Sequence, residues 1–261
     1  MTSAFSRFGS FVLDELAQLG AMVMLFADIL KTAFTRRPRW AETIEQTYKI
    51  GWQSQPVVLI TGAFTGMVFA VQTLLQFHKV KMDTAVGPVV SIAMVRELAP
   101  VLTALMVAGR VGAAIAAELG TMKVTEQLDA LRAMGTAPVD YLAVPRFVAL
   151  VVALPLLTAE AMAFGIYCGY LVAVHLKGVD AAYFVSNMFK FTGAQDVISG
   201  LVKSTCFGMF IASISCYKGF NAGEGAEGVG RATTQAVVVS SLTVLVSNYF
   251  IAELFNAIIP A

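Results

Sequence analysis

Four charged side chains stand out deep within long apolar runs of this sequence: Arg96, Glu97, Glu160 and Lys203. At the centre of a membrane helix a charge costs about 2.5–3.5 kcal/mol on insertion scales, so such residues turn toward a cavity or a partner. Arg96 and Glu97 are adjacent. Neighbours on a helix point roughly 100° apart, which prevents these two from pairing well with each other. Their partners must come from other segments, and Lys203 and Glu160 are the opposite charges on offer. Two chemistries fit: a salt-bridge lock between helices, or the lining of a polar substrate cavity.

Little else in the chain suggests catalysis. There is no GxxxxGK[ST] phosphate loop, so the chain cannot hydrolyse ATP by that route. Gly223–Gly230 contains a literal GxGxxG, but it follows an apolar segment rather than a strand, and Glu224 and Glu227 would repel phosphate. It reads instead as a flexible loop capping the last apolar segment. His78 and His175 stand alone, without zinc-site spacing. Cys168, Cys206 and Cys216 form no CxxC and read as small packing residues. No metal or cofactor is expected in this chain, and any energy-yielding chemistry must come from a partner.

The elements that position these residues follow from charge. Only 13% of the 261 residues are charged, 57% are hydrophobic, and the mean hydropathy is +0.74. Soluble domains carry roughly 25% charged residues. With Lys+Arg 18 against Asp+Glu 17 there is no bulk field for a polyanion, which excludes a nucleic-acid-binding role. The composition predicts an all-α membrane protein. A bilayer core of ~30 Å needs about 20 apolar helical residues. Residues 50–78 and 232–252 contain no Asp, Glu, Lys or Arg. They anchor spans at about 55–77 and 233–258. Three further apolar stretches, 85–109, 147–176 and 197–217, give five transmembrane helices in one domain over 54–261.

Residues 1–53 read as an interfacial helix and elbow. Phe5, Phe8, Val12, Leu16, Leu19, Val23, Phe26 and Leu30 recur at steps of three and four, with Asp14, Gln18, Asp28 and Lys31 opposite. That pattern predicts an amphipathic helix lying in the membrane interface. Arg36-Arg37-Pro38-Arg39-Trp40 then makes an elbow before a short helix at about 41–52. With a cytoplasmic N-terminus, Lys and Arg in the loops divide 12 inside to 4 outside, so the C-terminus faces the far side. The odd span count argues against two equal repeats and is compatible with a homodimer. Gly62 and Gly66 form GxxxG, and Gly112/Ala116 and Ala113/Ala117 repeat the small-xxx-small spacing, which suits close helix packing within one chain.

Residues 118–137 form a distinctive region between the second and third spans. Val124, Leu128 and Leu131 share a face, with Lys123, Glu126, Asp129 and Arg132 around it. Gly135 suits the helix C-terminus and Pro138 the stop. A short amphipathic helix here could be an ordinary surface helix or could dock into a groove on a soluble partner.

The runs Arg96-Glu-Leu-Ala-Pro100-Val, Ala108-Gly-Arg-Val-Gly112, Ala117-Glu-Leu-Gly-Thr-Met122, Thr125-Glu-Gln-Leu-Asp-Ala-Leu131 and Gly228-Val-Gly-Arg-Ala-Thr-Thr234 resemble the MlaE-type permeases over essentially the whole chain. The resemblance implies the membrane subunit of an ABC transporter for phospholipids in the bacterial inner membrane, maintaining outer-membrane lipid asymmetry. It implies a homodimer, ATP-binding subunits that use ATP and Mg on the cytoplasmic side, and a periplasmic MCE-domain lipid carrier; it leaves room for a small accessory cytoplasmic subunit. It makes 118–137 the coupling region, with Glu118, Gly120, Thr125, Glu126 and Asp129 as ATPase-contact candidates. Arg96, Glu97 and Lys203 match polar positions around a central lipid cavity, and Glu160 is a further candidate. Two other readings stay open: an ABC permease for another hydrophobic solute, including solvent export, and a non-transporting scaffold for an MCE assembly.

Overall fold

The apolar runs fold into helices longer than the runs themselves. The computed structural model describes residues 2–35 and 39–258. These form α1 (Thr2–Thr35), α2 (Trp40–Lys79), α3 (Val86–Val124), α4 (Gln127–Ala133), α5 (Val139–Leu176), α6 (Ala181–Phe191), α7 (Ala194–Phe220) and α8 (Gly225–Ile258). Six helices among the described residues are long and apolar enough to cross a membrane. This is one more than the expected five, because Leu16–Thr35 of α1 also qualifies by length and composition.

Three local expectations change. The short helix expected at 41–52 is continuous with the first long span in α2, and Pro56 sits inside that helix without ending it. Arg36, Arg37 and Pro38 of the expected elbow lie outside the described residues. Arg39 stacks its guanidinium over the Tyr141 ring at 4.7 Å. The expected loop around Gly223–Gly230 is largely helical, since α8 begins at Gly225, which takes the left-handed φ of 69° that glycine tolerates. Finally, Val124 does not share a helix with Leu128 and Leu131. The chain breaks at Thr125–Glu126, where Glu126 adopts φ 60°, and only Gln127–Ala133 forms the short helix.

α3 and α7 occupy the middle of the bundle, between the α2/α5 pair and α8. The α2–α5 contact is the closest. A Cβ at Gly66 would overlap the Gly165 carbonyl, and one at Gly62 would lie 3.1 Å from the Ala161 backbone. The GxxxG of α2 therefore packs within the chain, against a matching small-residue stripe on α5, as its spacing suggested. One end of the bundle carries α4 and the 221–224 turn, joined where Lys123 Nζ donates to the Ala222 carbonyl at 2.8 Å. The other end carries α6 and the start of α7.

Candidate functional site

Proline chemistry builds the site. Pro100 has no N–H, so the Arg96 carbonyl four residues earlier loses its α-helical donor. α3 responds with a π turn over Met94–Leu98, in which the Ala99 N–H reaches back to Met94. Such bulges often mark functional positions, and this one carries Arg96 and Glu97. The orphaned Arg96 carbonyl is taken up from α7, where Lys203 Nζ donates to it at 3.0 Å. The approach of α7 depends on Gly200, whose Cβ would collide with the Val95 carbonyl.

The same ammonium pairs with Glu97 Oε1 at 2.6 Å. The other carboxylate oxygen accepts from Asn248 Nδ2 of α8 at 2.9 Å. Arg96 turns the other way and pairs through Nε with Asp196 Oδ1 at 2.5 Å. Asp196 is held in turn at the first turn of α7, where its second oxygen accepts the Gly193 N–H at 2.8 Å, a capping position that favours a carboxylate. Three helices thus meet in a network with two positive and two negative groups.

Burial divides the network. The Lys203 and Asp196 side chains are 2% and 8% exposed, whereas those of Arg96 and Glu97 are 40% and 45% exposed. The buried pair anchors; the exposed pair faces a cleft of about 260 Å³ between α3, α7 and α8, whose walls include Ile92, Ser199, Ala252 and Phe255. The cleft therefore offers an ammonium-matching carboxylate and a phosphate-matching guanidinium beside apolar wall.

The structure brings together three of the four charges singled out in the sequence, Arg96, Glu97 and Lys203. Glu160 stands apart, on α5, where Oε1 accepts from Gln55 Nε2 at 3.3 Å. Asp196 and Asn248 were missed in the sequence. Asp196 lies one residue before the apolar window chosen for its span, and Asn248 carries no charge to attract notice. Pro100, four residues after Arg96, was the readable signal of an unpaired carbonyl.

The coupling candidates sit at the opposite end. Glu118 pairs with the buried Arg146 at 2.7 Å. Gly120 faces Ala222 and Val229, leaving a Cβ only 3.1 Å from Ala222. Thr125 Oγ donates to the Thr121 carbonyl at 2.8 Å, finishing α3. Glu126 and Asp129 are exposed, the latter paired with Arg132 at 2.8 Å. Leu128 is buried and Leu131 packs against the core, which pins α4 to the bundle and leaves its charged side outward.

The chain is similar to known proteins over most of its length. The family model "Permease MlaE" matches residues 43–254. A probable ABC transporter permease protein of Rickettsia conorii is 44% identical over 92% of this chain and 93% of its own length. One from Synechocystis is 44% identical over 88% of this chain and 86% of its own. The chloroplastic protein TRIGALACTOSYLDIACYLGLYCEROL 1 of Arabidopsis thaliana is 38% identical over 83% of this chain and 62% of its own. A match across most of the helical bundle, spanning both the charged cleft and the α4 end, places this chain in the MlaE permease family, as a membrane permease subunit of the ABC transporter type.

Proposed function

We propose that this permease moves phospholipids between the inner membrane and a periplasmic MCE-domain carrier, and so maintains outer-membrane lipid asymmetry. The observation that carries the reading is the cleft at Arg96 and Glu97: a zwitterionic surface set among apolar helices suits a molecule with a charged head and long tails. The name of the Arabidopsis relative, which refers to a glycerolipid, points the same way.

In this reading two copies face each other and enclose the lipid, with the N-terminus cytoplasmic and the C-terminus periplasmic. Five helices cross the bilayer and α1 lies in the interface. Support for the last point comes from its many exposed apolar side chains, among them Leu16, Leu19 and Val23. Partner subunits bind and hydrolyse ATP with Mg. Their closure pushes on 118–137 through Glu126 and Asp129, and α4 passes the movement to α3 and α5. Arg96 holds phosphate charge, Lys203 supports the site from behind by fixing Glu97 and the Arg96 carbonyl, Glu97 offers its carboxylate to a head-group amine, and Glu160 adds polarity between α2 and α5.

The test is lipid cross-linking and lipid-stimulated ATPase activity of the assembled complex in liposomes. Arg96→Ala should lower cross-linking while membrane insertion survives; unaltered cross-linking would make Arg96 purely structural. Glu126→Arg or Asp129→Arg should weaken assembly or uncouple hydrolysis from lipid. Wild-type assembly and turnover in both would remove 118–137 from the coupling role.

A further inference from the structure

The second π turn of α3, Ala108–Gly112, presents Arg110 to a different place: a groove of about 240 Å³ between α2 and α3. Arg110 is exposed, and its protein partners are neutral. Nη1 donates to Ser54 Oγ at 2.9 Å and Nη2 to Gln53 Oε1 at 3.1 Å. The other charges around the groove are already matched, Lys49 with Glu45 at 2.7 Å and Glu118 with Arg146 at 2.7 Å. Among the described residues Arg110 has no carboxylate partner, so the groove keeps one positive charge.

Its level in the membrane is marked by α2. Glu42, Glu45 and Lys49 precede this point, and no charge follows until Lys79. Tyr48 and Trp52 stack here with ring centroids 6.3 Å apart, and both are exposed. Aromatic residues of this kind collect where hydrocarbon meets head groups. Beyond Arg110 the polar groove gives way to exposed apolar residues. Val57, Ile60 and Phe64 continue the Gln53 face of α2, and Met106 lies one turn before Arg110 on α3. A cation at the boundary, a polar groove on the water side and an apolar strip on the membrane side reproduce the order of parts in a phospholipid.

We infer that this groove binds the phosphate of an anionic phospholipid drawn from the leaflet at the α4 end of the bundle. The guanidinium fork of Arg110 takes two phosphate oxygens, as Arg does at planar anions. The head group points toward Gln46 and Lys49, and an acyl chain lies along Val57, Ile60 and Met106. The site is separate from the Arg96 cleft. It requires that the helices sit in a bilayer, and does not require that phospholipid is the cargo.

The experiment uses the full chain in phosphatidylcholine vesicles containing a small fraction of photoactivatable phosphatidylglycerol, without ATP or partner subunits, so its failure leaves the transport reading untouched. Cross-links should concentrate on residues 53–60 and 103–110. Arg110→Gln should reduce them about tenfold, the effect of losing charge-assisted hydrogen bonds. Arg110→Lys, a point charge without the fork, should fall between. Ala114→Trp fills the groove from an exposed position while leaving the cation in place, and should also reduce labelling. Labelling that is independent of Arg110 and of Ala114→Trp would overturn the inference. So would equal labelling by a photoactivatable phosphatidylcholine, or complete protection by millimolar inorganic phosphate, which would assign the charge to free phosphate.

Discussion

Helix α3 is interrupted by two π turns, and each carries an arginine that the surrounding helices treat differently. At Met94–Leu98 the neighbours supply opposite charges: Asp196 for Arg96, and Lys203 for Glu97. At Ala108–Gly112 the neighbour supplies a hydroxyl and an amide, from Ser54 and Gln53. The first turn is knitted by three helices and is neutral overall. At the second, the arginine side chain is hydrogen-bonded by one neighbour alone and stays cationic. The same backbone device thus yields a lock with two exposed members in one half of the helix and an open anion seat in the other. What decides is the chemistry of the facing helix, not the local sequence of α3.

The comparison breaks most visibly at Lys203. Lys203→Met removes the donor to both Glu97 and the Arg96 carbonyl, leaving a carboxylate in a half-buried position. Removing one partner of a buried pair costs about 3–5 kcal/mol. Because Glu97 keeps Asn248 and partial access to the cleft, the lower end is expected, read as a large drop in the unfolding temperature of the detergent-purified protein. Adding Glu97→Met should recover much of the loss; a double variant no better than Lys203→Met would show that the pair does not act as a unit.

Gly200→Val comes next. The added side chain meets the Val95 carbonyl and Met162, so α7 must retreat from the first π turn. Overpacking costs about 1–3 kcal/mol. The retreat should also separate Asp196 from Arg96, making Arg96 more reactive toward an arginine-selective reagent while Arg110 is unchanged. Unchanged reactivity of Arg96 in the variant would deny that α7 is what closes the first site.

One side of this contrast, the charges of the first site, is legible in the sequence, and the unread part has a common cause. Charge-free runs located the long helices, because a bilayer tolerates few charges, and the placement of Arg96, Glu97 and Lys203 marked the cleft. The GxxxG of α2 predicted a close seam and found one on α5. What charge and periodicity cannot encode is backbone register. A π turn inserts an extra residue without changing composition, so neither turn of α3 was visible, although Pro100 implied the first. Helix ends suffered similarly. Trimming the fourth span at residue 197 cut off Asp196, and the GxGxxG segment looked like a loop because glycines favour turns, whereas only Gly225 takes the positive φ. The face shared by Val124, Leu128 and Leu131 assumed an unbroken helix that Glu126 interrupts.

Arg110→Gln should be mild for stability, in contrast with Lys203→Met. The side chain is exposed and its two hydrogen bonds go to neutral partners, so about 1 kcal/mol or less is at stake. Its effect belongs in lipid binding. If Arg110→Gln lowered the unfolding temperature as much as Lys203→Met, the second π turn would be a lock like the first, and the distinction between them would vanish.

The smallest effect tests how Arg110 is aimed. Ser54 is buried, and its hydroxyl oxygen accepts the Nη1 hydrogen bond, fixing one edge of the guanidinium against α2. Ser54→Ala deletes that contact but keeps Gln53 and the charge. The expected cost is about 0.5 kcal/mol, since the donor left behind is exposed to water and head groups rather than stranded. With one anchor gone, the fork samples more orientations, so labelling by phosphatidylglycerol should fall by less than in Arg110→Gln but spread over more residues of α2 and α3. A sharp cross-link pattern identical to wild type would show that Gln53 alone orients the arginine. A loss as deep as in Arg110→Gln would show that orientation, rather than charge, dominates at this turn.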